Sequence, residues 1–169
     1  MPGPEIDVGK FIYLMYPRIN ASSHFDFPDE RLLNLQSILS AEEIRTPDNK
    51  DRKGDPVRYV VKRGLTTLTT IGCLTGFESH VRRCFALGSR DSVEAAVYPY
   101  DNNFGPFSKP GDSGSIIVDA FGKFVALLTG GTGPTDPSDI TYGSPMYWLW
   151  EIIRAKFPGA NLYFEDYDN

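Results

Sequence analysis

The chain has 169 residues, 41% of them hydrophobic, and a formal net charge of −5, which suits one sizeable buried core, read as one domain plus an extension. That charge leaves no basic footprint for nucleic acid or an anionic membrane, and no window approaches the apolar length that crosses a bilayer. The opening Met1-Pro2-Gly3-Pro4-Glu5-Ile6-Asp7 has neither the basic nor the apolar part of a signal peptide, so a cytoplasmic location is favoured and the sequon Asn20-Ala21-Ser22 is taken as chance.

Residues 1–56 read as an N-terminal extension. Its apolar run, Val8 to Tyr16, closed by Pro17, is expected to be a strand, and 22–28 a linker. Leu32, Leu33, Leu35, Ile38 and Leu39 recur at helical spacing, which predicts an amphipathic helix over 29–40 capped by Asp29. The charged run Pro47 to Asp55 has the composition of a solvated boundary loop.

From residue 57 to 158 the pattern turns to β. Strands are expected near 57–62, 65–75, 80–87, 92–98, 115–119, 123–129 and 139–142, separated by Gly, Asp, Asn and Pro, a spacing that suggests a closed antiparallel barrel. A hairpin centred on Gly76-Phe77-Glu78-Ser79-His80 would set Cys73 opposite Cys84, within bonding reach in an oxidising compartment; the default is two reduced, half-buried thiols. The final element is a helix over 145–157, with Ser144 as its cap, Pro145 at its first position, and Met146, Leu149, Trp150, Ile153 and Phe157 as its apolar face. Pro158-Gly159 ends it, and residues 159–169 form an acidic tail.

The stretch that carries chemistry is Lys109-Pro110-Gly111-Asp112-Ser113-Gly114-Ser115, set directly before Ile116-Ile117-Val118. A serine between glycines ahead of a β-branched run suits a tight loop that presents a hydroxyl and then enters a buried strand. The amides of Gly111 and Ser113 could then aim at one developing oxyanion, although Gly-Asp-Ser-Gly is also an ordinary turn composition. Lipase-type hydrolases are disfavoured, because Ser115 stands where their elbow needs glycine. Gly130 to Pro137 lacks phosphate-loop spacing, and two histidines and two cysteines fall at no zinc-finger or zincin spacing, so neither metal nor cofactor is expected.

Together with the hairpin that ends in Thr129-Gly130-Gly131, the segment Ile140-Thr141-Tyr142-Gly143-Ser144-Pro145 and the terminal helix, this loop resembles the C-terminal half of the trypsin-like (chymotrypsin-fold, peptidase S1, PA clan) serine peptidases. Upstream, Arg58 to Gly72, with its Gly64-Leu65-Thr66-Thr67, is similar to the first strands of that family's second barrel in its disulfide-poor members. The resemblance covers roughly 57–157 and implies a mostly β fold: a six-stranded antiparallel barrel with a C-terminal helix, preceded by a helix-bearing extension.

Carried over residue by residue, the resemblance makes Ser113 the nucleophile, Gly111 with Ser113 the oxyanion donors, and Asp112 the carboxylate that supports the loop. It places Thr129, Gly130 and Gly131 on the segment that pairs with substrate backbone, and Phe107 at the base of the primary specificity pocket. Asp112 in zymogen-activated members pairs with a new N-terminal amine. No Ile-Val-Gly-Gly start exists here, so another donor must hold the loop. The base and its orienting acid belong to the family's first barrel; His24 and His80 are the only histidines, in the linker and in the expected hairpin turn, and neither has the family's setting. The resemblance therefore implies the nucleophile half of a serine endopeptidase, inactive alone, acting on peptides when an N-terminal barrel supplies histidine and aspartate. The alternative is a degenerate, non-catalytic module whose exposed barrel face docks a partner domain.

Overall fold

The structure, a computed structural model, describes residues 13–14, 33–51, 53–101, 104–132 and 140–162. In chain order these form β1 (Ser37–Ile38), α1 (Ala41–Arg45), β2 (Asn49–Lys50), β3 (Pro56–Arg63), β4 (Thr69–Phe85), β5 (Gly88–Pro99), β6 (Ile116–Asp119), β7 (Lys123–Gly131), β8 (Thr141–Pro145) and α2 (Met146–Lys156). The expected linker at 22–28, His24, Asn20 and the tail from 163 lie outside the described residues.

Strands β3, β4, β5, β8, β7 and β6 pair antiparallel in that order, and β6 returns to β3 through Val60↔Asp119, Val61↔Val118 and Lys62↔Ile117. Six strands thus close into a ring, which removes the open edges of a flat sheet. This is the expected mostly β barrel with a C-terminal helix.

Side chains alternate across β3, and the alternation builds two apolar layers. Val60 joins Leu74, Val97, Ile117, Val125 and Leu128 in one cluster. Val57, Tyr59 and Val61 face the other way and pack with Val118, Phe124 and Met146, against Leu14, Leu33, Ile38, Leu149 and Trp150. Arg58 and Lys62 share the face of Val60, two residues to either side, and both are buried. Each carries a carboxylate with it: Arg58 bonds Asp119 at 3.2 Å and Asp48 at 2.9 Å, and Lys62 bonds Asp112 at 3.2 Å. A buried cation needs such a partner, so the aliphatic centre of this face is bounded by an ion pair at each end.

Several expectations are corrected. Residues 33–36 are irregular, and Ser37–Ile38 pairs in parallel with Lys123–Phe124, so no helix runs to residue 40. The helix starts one residue later instead: Ser40 accepts from the Glu43 amide at 3.2 Å while the Glu43 carboxylate accepts from the Ser40 amide at 2.9 Å. Of the apolar run at 8–16, Tyr13 and Leu14 are described and both are helical.

There is no hairpin at 76–80. β4 runs unbroken from Thr69 to Phe85, and Gly76, at φ +86°, absorbs a register shift against β5 between Leu74 and Glu78. His80 consequently lies within the strand opposite Val93, and the chain reverses only after Phe85. Cys73 stands opposite Tyr98 and Cys84 opposite Ser89, eleven positions apart along one strand, so they cannot bond to each other; both are free, Cys73 half-buried and Cys84 exposed. Finally, Ser144 does not cap α2: it lies in β8 and donates to Glu94 at 3.2 Å, leaving Pro145 at the helix start, and Phe157 is exposed beyond its end.

Candidate active site

The loop from β5 to β6 carries Ser113, and its geometry is set by Asp112. Asp112 is fully buried, and its Oδ2 accepts from Lys62 Nζ at 3.2 Å, the Thr67 hydroxyl at 2.6 Å and the Lys109 amide at 3.0 Å. Its Oδ1 accepts from the amides of Thr66 at 2.7 Å and Thr67 at 3.2 Å. Burial by itself would push the carboxyl up; the Thr67 hydroxyl and these amides outweigh it and hold Asp112 well below the usual carboxylate range. Lys62 is lowered by burial, opposed by its bond to Asp112. A carboxylate fixed by five donors leaves the loop that follows little freedom.

The segment 64–67 is shaped by the same group. A Cβ at Gly64 would collide with the Asp112 carboxylate, and the Thr66 hydroxyl donates to the Pro110 carbonyl at 2.9 Å. The Gly-x-Thr-Thr sequence noted above is therefore the complement of the serine loop: glycine for room, and the two threonines for three of the five bonds to Asp112. Of the five donors to Asp112, Lys62 is the charged one.

On the outer side of the loop Gly111 adopts φ +102°, where a side chain would be strained and would strike the Thr66 hydroxyl. Gly114, at φ +88°, turns the chain into β6: its amide donates to the Leu128 carbonyl at 2.9 Å, and Leu128 donates back to Ser115 at 3.0 Å. Between them Ser113 is exposed, and among the described residues the amides of Gly111 and Ser113 donate to no protein carbonyl or side chain. Ser113 borders an open cleft of about 750 Å³ walled by Leu33, Leu35, Val61, Leu65, Ile116 and Val118, with Arg63 and Thr69 beside them.

Thr129, Gly130 and Gly131 end β7 one residue beyond Leu128, which brings them next to the serine loop. Phe107 is fully buried among Leu74, Val97 and Ile117, its carbonyl accepts from Thr70 at 2.7 Å, and Lys62 Nζ lies 5.5 Å from its ring centre. It packs the barrel and does not line the cleft. His80 is exposed on β4, and no group of three or more metal-ligating side chains occurs among the described residues.

The sequence reading missed three residues that shape this region. Lys62 is one, and in sequence it is only the first of two adjacent cations, Lys62-Arg63, that follow the apolar run Tyr59 to Val61. Glu94 is another: it is buried on β5 and accepts from the hydroxyls of Ser92 at 2.8 Å, Thr129 at 3.2 Å and Ser144 at 3.2 Å, tying three strands together. Arg83 is the third, donating to the Thr129 carbonyl at 3.4 Å.

No protein-family model matches the chain, and no curated protein does. Among solved structures it is similar to a chymotrypsin of Cellulomonas bogoriensis, with 22% sequence identity and a TM-score of 0.41. The match covers 66% of this chain and 52% of that one, so the chain matches about half the length of the chymotrypsin.

Proposed function

We propose that the chain carries the nucleophile of a serine endopeptidase, with Ser113 attacking a peptide carbonyl and the amides of Gly111 and Ser113 receiving the oxyanion. The observation that carries this reading is the cradle of Asp112. Five donors hold a buried carboxylate next to an exposed serine, between glycines at φ +102° and +88°. Such a scaffold keeps a small reactive loop in one conformation, which electrostatic stabilisation of a transition state requires. A serine hydroxyl also needs a base, and the described residues place no histidine beside Ser113. The base and its orienting acid therefore come from outside them, docked over the apolar cleft that Ser113 borders; the base takes the hydroxyl proton and returns it to the leaving amine.

The test is a fluorophosphonate probe on the full chain, with Ser113→Ala as control. Labelling confined to Ser113, either in the chain alone or after an N-terminal barrel is added, supports the reading. No labelling in either condition overturns it. The cleft itself favours the second reading, a non-catalytic module that docks a partner domain through this apolar face. That module would bind its partner with Ser113 unreactive.

A further inference from the structure

β7 is paired on both sides only as far as Leu128. Ile116↔Leu127 is its last ladder pair with β6, Leu128 then exchanges bonds with Gly114 and Ser115, and at Thr129–Gly131 β8 is the one strand partner among the described residues. The other edge of that stretch can accept an added strand from an extended peptide.

The arm formed by β4 and β5 bends over toward this edge. At its base Glu94 is bonded to Thr129, and from farther out Arg83 reaches the Thr129 carbonyl at 3.4 Å, with the same guanidinium nitrogen 3.5 Å from where a Gly130 side chain would begin. Two neighbouring register pairs on the arm differ in kind. Arg82↔Asp91 is a matched pair, bonded twice at 2.7 Å on one face. One step along, Arg83↔Arg90 sets two guanidiniums opposite each other on the other face, the one shared with Ser92 and Glu94.

Like charges directly opposite in a ladder are unfavourable. Among the described residues neither Arg83 nor Arg90 has a carboxylate within ion-pair distance. Glu94, the carboxylate on their face, is buried and already takes three hydroxyl bonds, and Asp91 is held by Arg82. Two guanidiniums without a carboxylate partner beside a strand edge form a receptor for carboxylates arriving on that edge.

We propose that the edge Thr129–Gly131 binds an extended peptide whose acidic side chains are held by Arg83 and Arg90. This makes the substrate class of the site acidic peptides; the assignment of catalysis to Ser113 comes from the reading above, whereas peptide binding does not depend on it. In an extended peptide alternate side chains share a face, so acidic residues at positions i and i+2 present both carboxylates to the arm.

The experiment uses the full chain carrying Ser113→Ala and three fluorescein-labelled hexapeptides that differ only at two alternate positions, Glu, Gln or Lys, followed by fluorescence anisotropy. The glutamate peptide is expected to bind roughly tenfold or more tighter than the glutamine peptide at low salt, with the preference shrinking in high salt. Arg83→Glu with Arg90→Glu should reverse the order in favour of the lysine peptide, and that gain shows the variant to be folded. Equal affinities, absence of binding by all three peptides, or a preference that survives the charge reversal would each overturn the proposal. Failure of the fluorophosphonate reaction in the parent chain bears on Ser113 alone, so the two readings fail separately.

Discussion

At the scale of single residues, the decisive pairing is Lys62 with Asp112, because both side chains are wholly withdrawn from solvent. Removing one member of such a pair leaves the other's charge without its partner, which costs more than the pair itself contributes. Lys62→Met should therefore destabilise the chain by about 3 kcal/mol and abolish labelling of Ser113. Urea unfolding with an unchanged slope checks the first part, and an unshifted midpoint contradicts it. The pH dependence follows from the same site. The Asp112 carboxyl lies below its ordinary value of 3.8 in the folded chain, so the stability it contributes is full above that value and is lost as pH falls below it. Without Lys62 the folded carboxyl rises, and acid unfolding should begin at higher pH. The thiols give a second residue-scale contrast. Burial, with Asp51 and Asp101 adding to it, pushes Cys73 up to about 12, whereas Cys84 is exposed near the end of β4. Thiolate is the reactive form. Iodoacetamide at neutral pH should accordingly modify Cys84 in the folded chain and Cys73 only on unfolding, and equal rates for the two would show the fold of β4 to be wrong.

At the scale of elements, α1 is five residues long and too short to persist by propensity. Its capping box and the 2.6 Å bond from Lys123 to Glu43 anchor it to β7. That Lys123 bond is the main reason the Glu43 carboxyl falls from 4.5 to about 2, with the Ser40 amide next. A group depressed on folding contributes stability that is full above its unfolded value. Its share should therefore be lost as pH falls from 4.5 through about 2, and Glu43→Gln should flatten the acid limb of the stability curve in that window. A limb of unchanged slope would place the pair's energy elsewhere. Ser40-Ala41-Glu42-Glu43 has the spacing of a capping box, a helix-start signal that the helix expected over 29–40 passes over. The reason is physical: Leu39 reaches the barrel cluster from an irregular segment, and burial recurs there without a helix. Gly76 shows the converse, since a glycine flanked by β-branched and aromatic residues reads as a turn, whereas here it forms a bulge beneath the Arg45 carbonyl. Ser113 was legible because glycine, serine and the strand after them are contiguous. Its support was not, because Lys62 and Thr67 meet Asp112 from 50 and 45 positions away.

At the scale of the whole molecule, the ring and the arm have separate tasks. Ring closure and both apolar clusters use β4 only up to Leu74 and β5 only from Ala95, whereas residues 82–91 are exposed throughout and contribute no member to either cluster. Cooperative stability should thus reside in the ring, and the arm should open first. Val81 pairs with Ser92, so residues 82–91 can be replaced by Asn-Gly, a two-residue loop that matches the twist of the flanking strands. The shortened chain should unfold in one transition with a stability within about 1 kcal/mol of the parent's, because exposed positions away from packing sites rarely contribute more. It should retain any reactivity of Ser113, whose cradle lies entirely in β3, the 64–67 loop and the β5–β6 loop. Because Arg83 and Arg90 leave with the arm, the preference for glutamate peptides should vanish while the open edge of β7 remains. A large loss of stability would mean that the arm is part of the fold. Retention of the glutamate preference would mean that the cations reading the peptide lie in the ring.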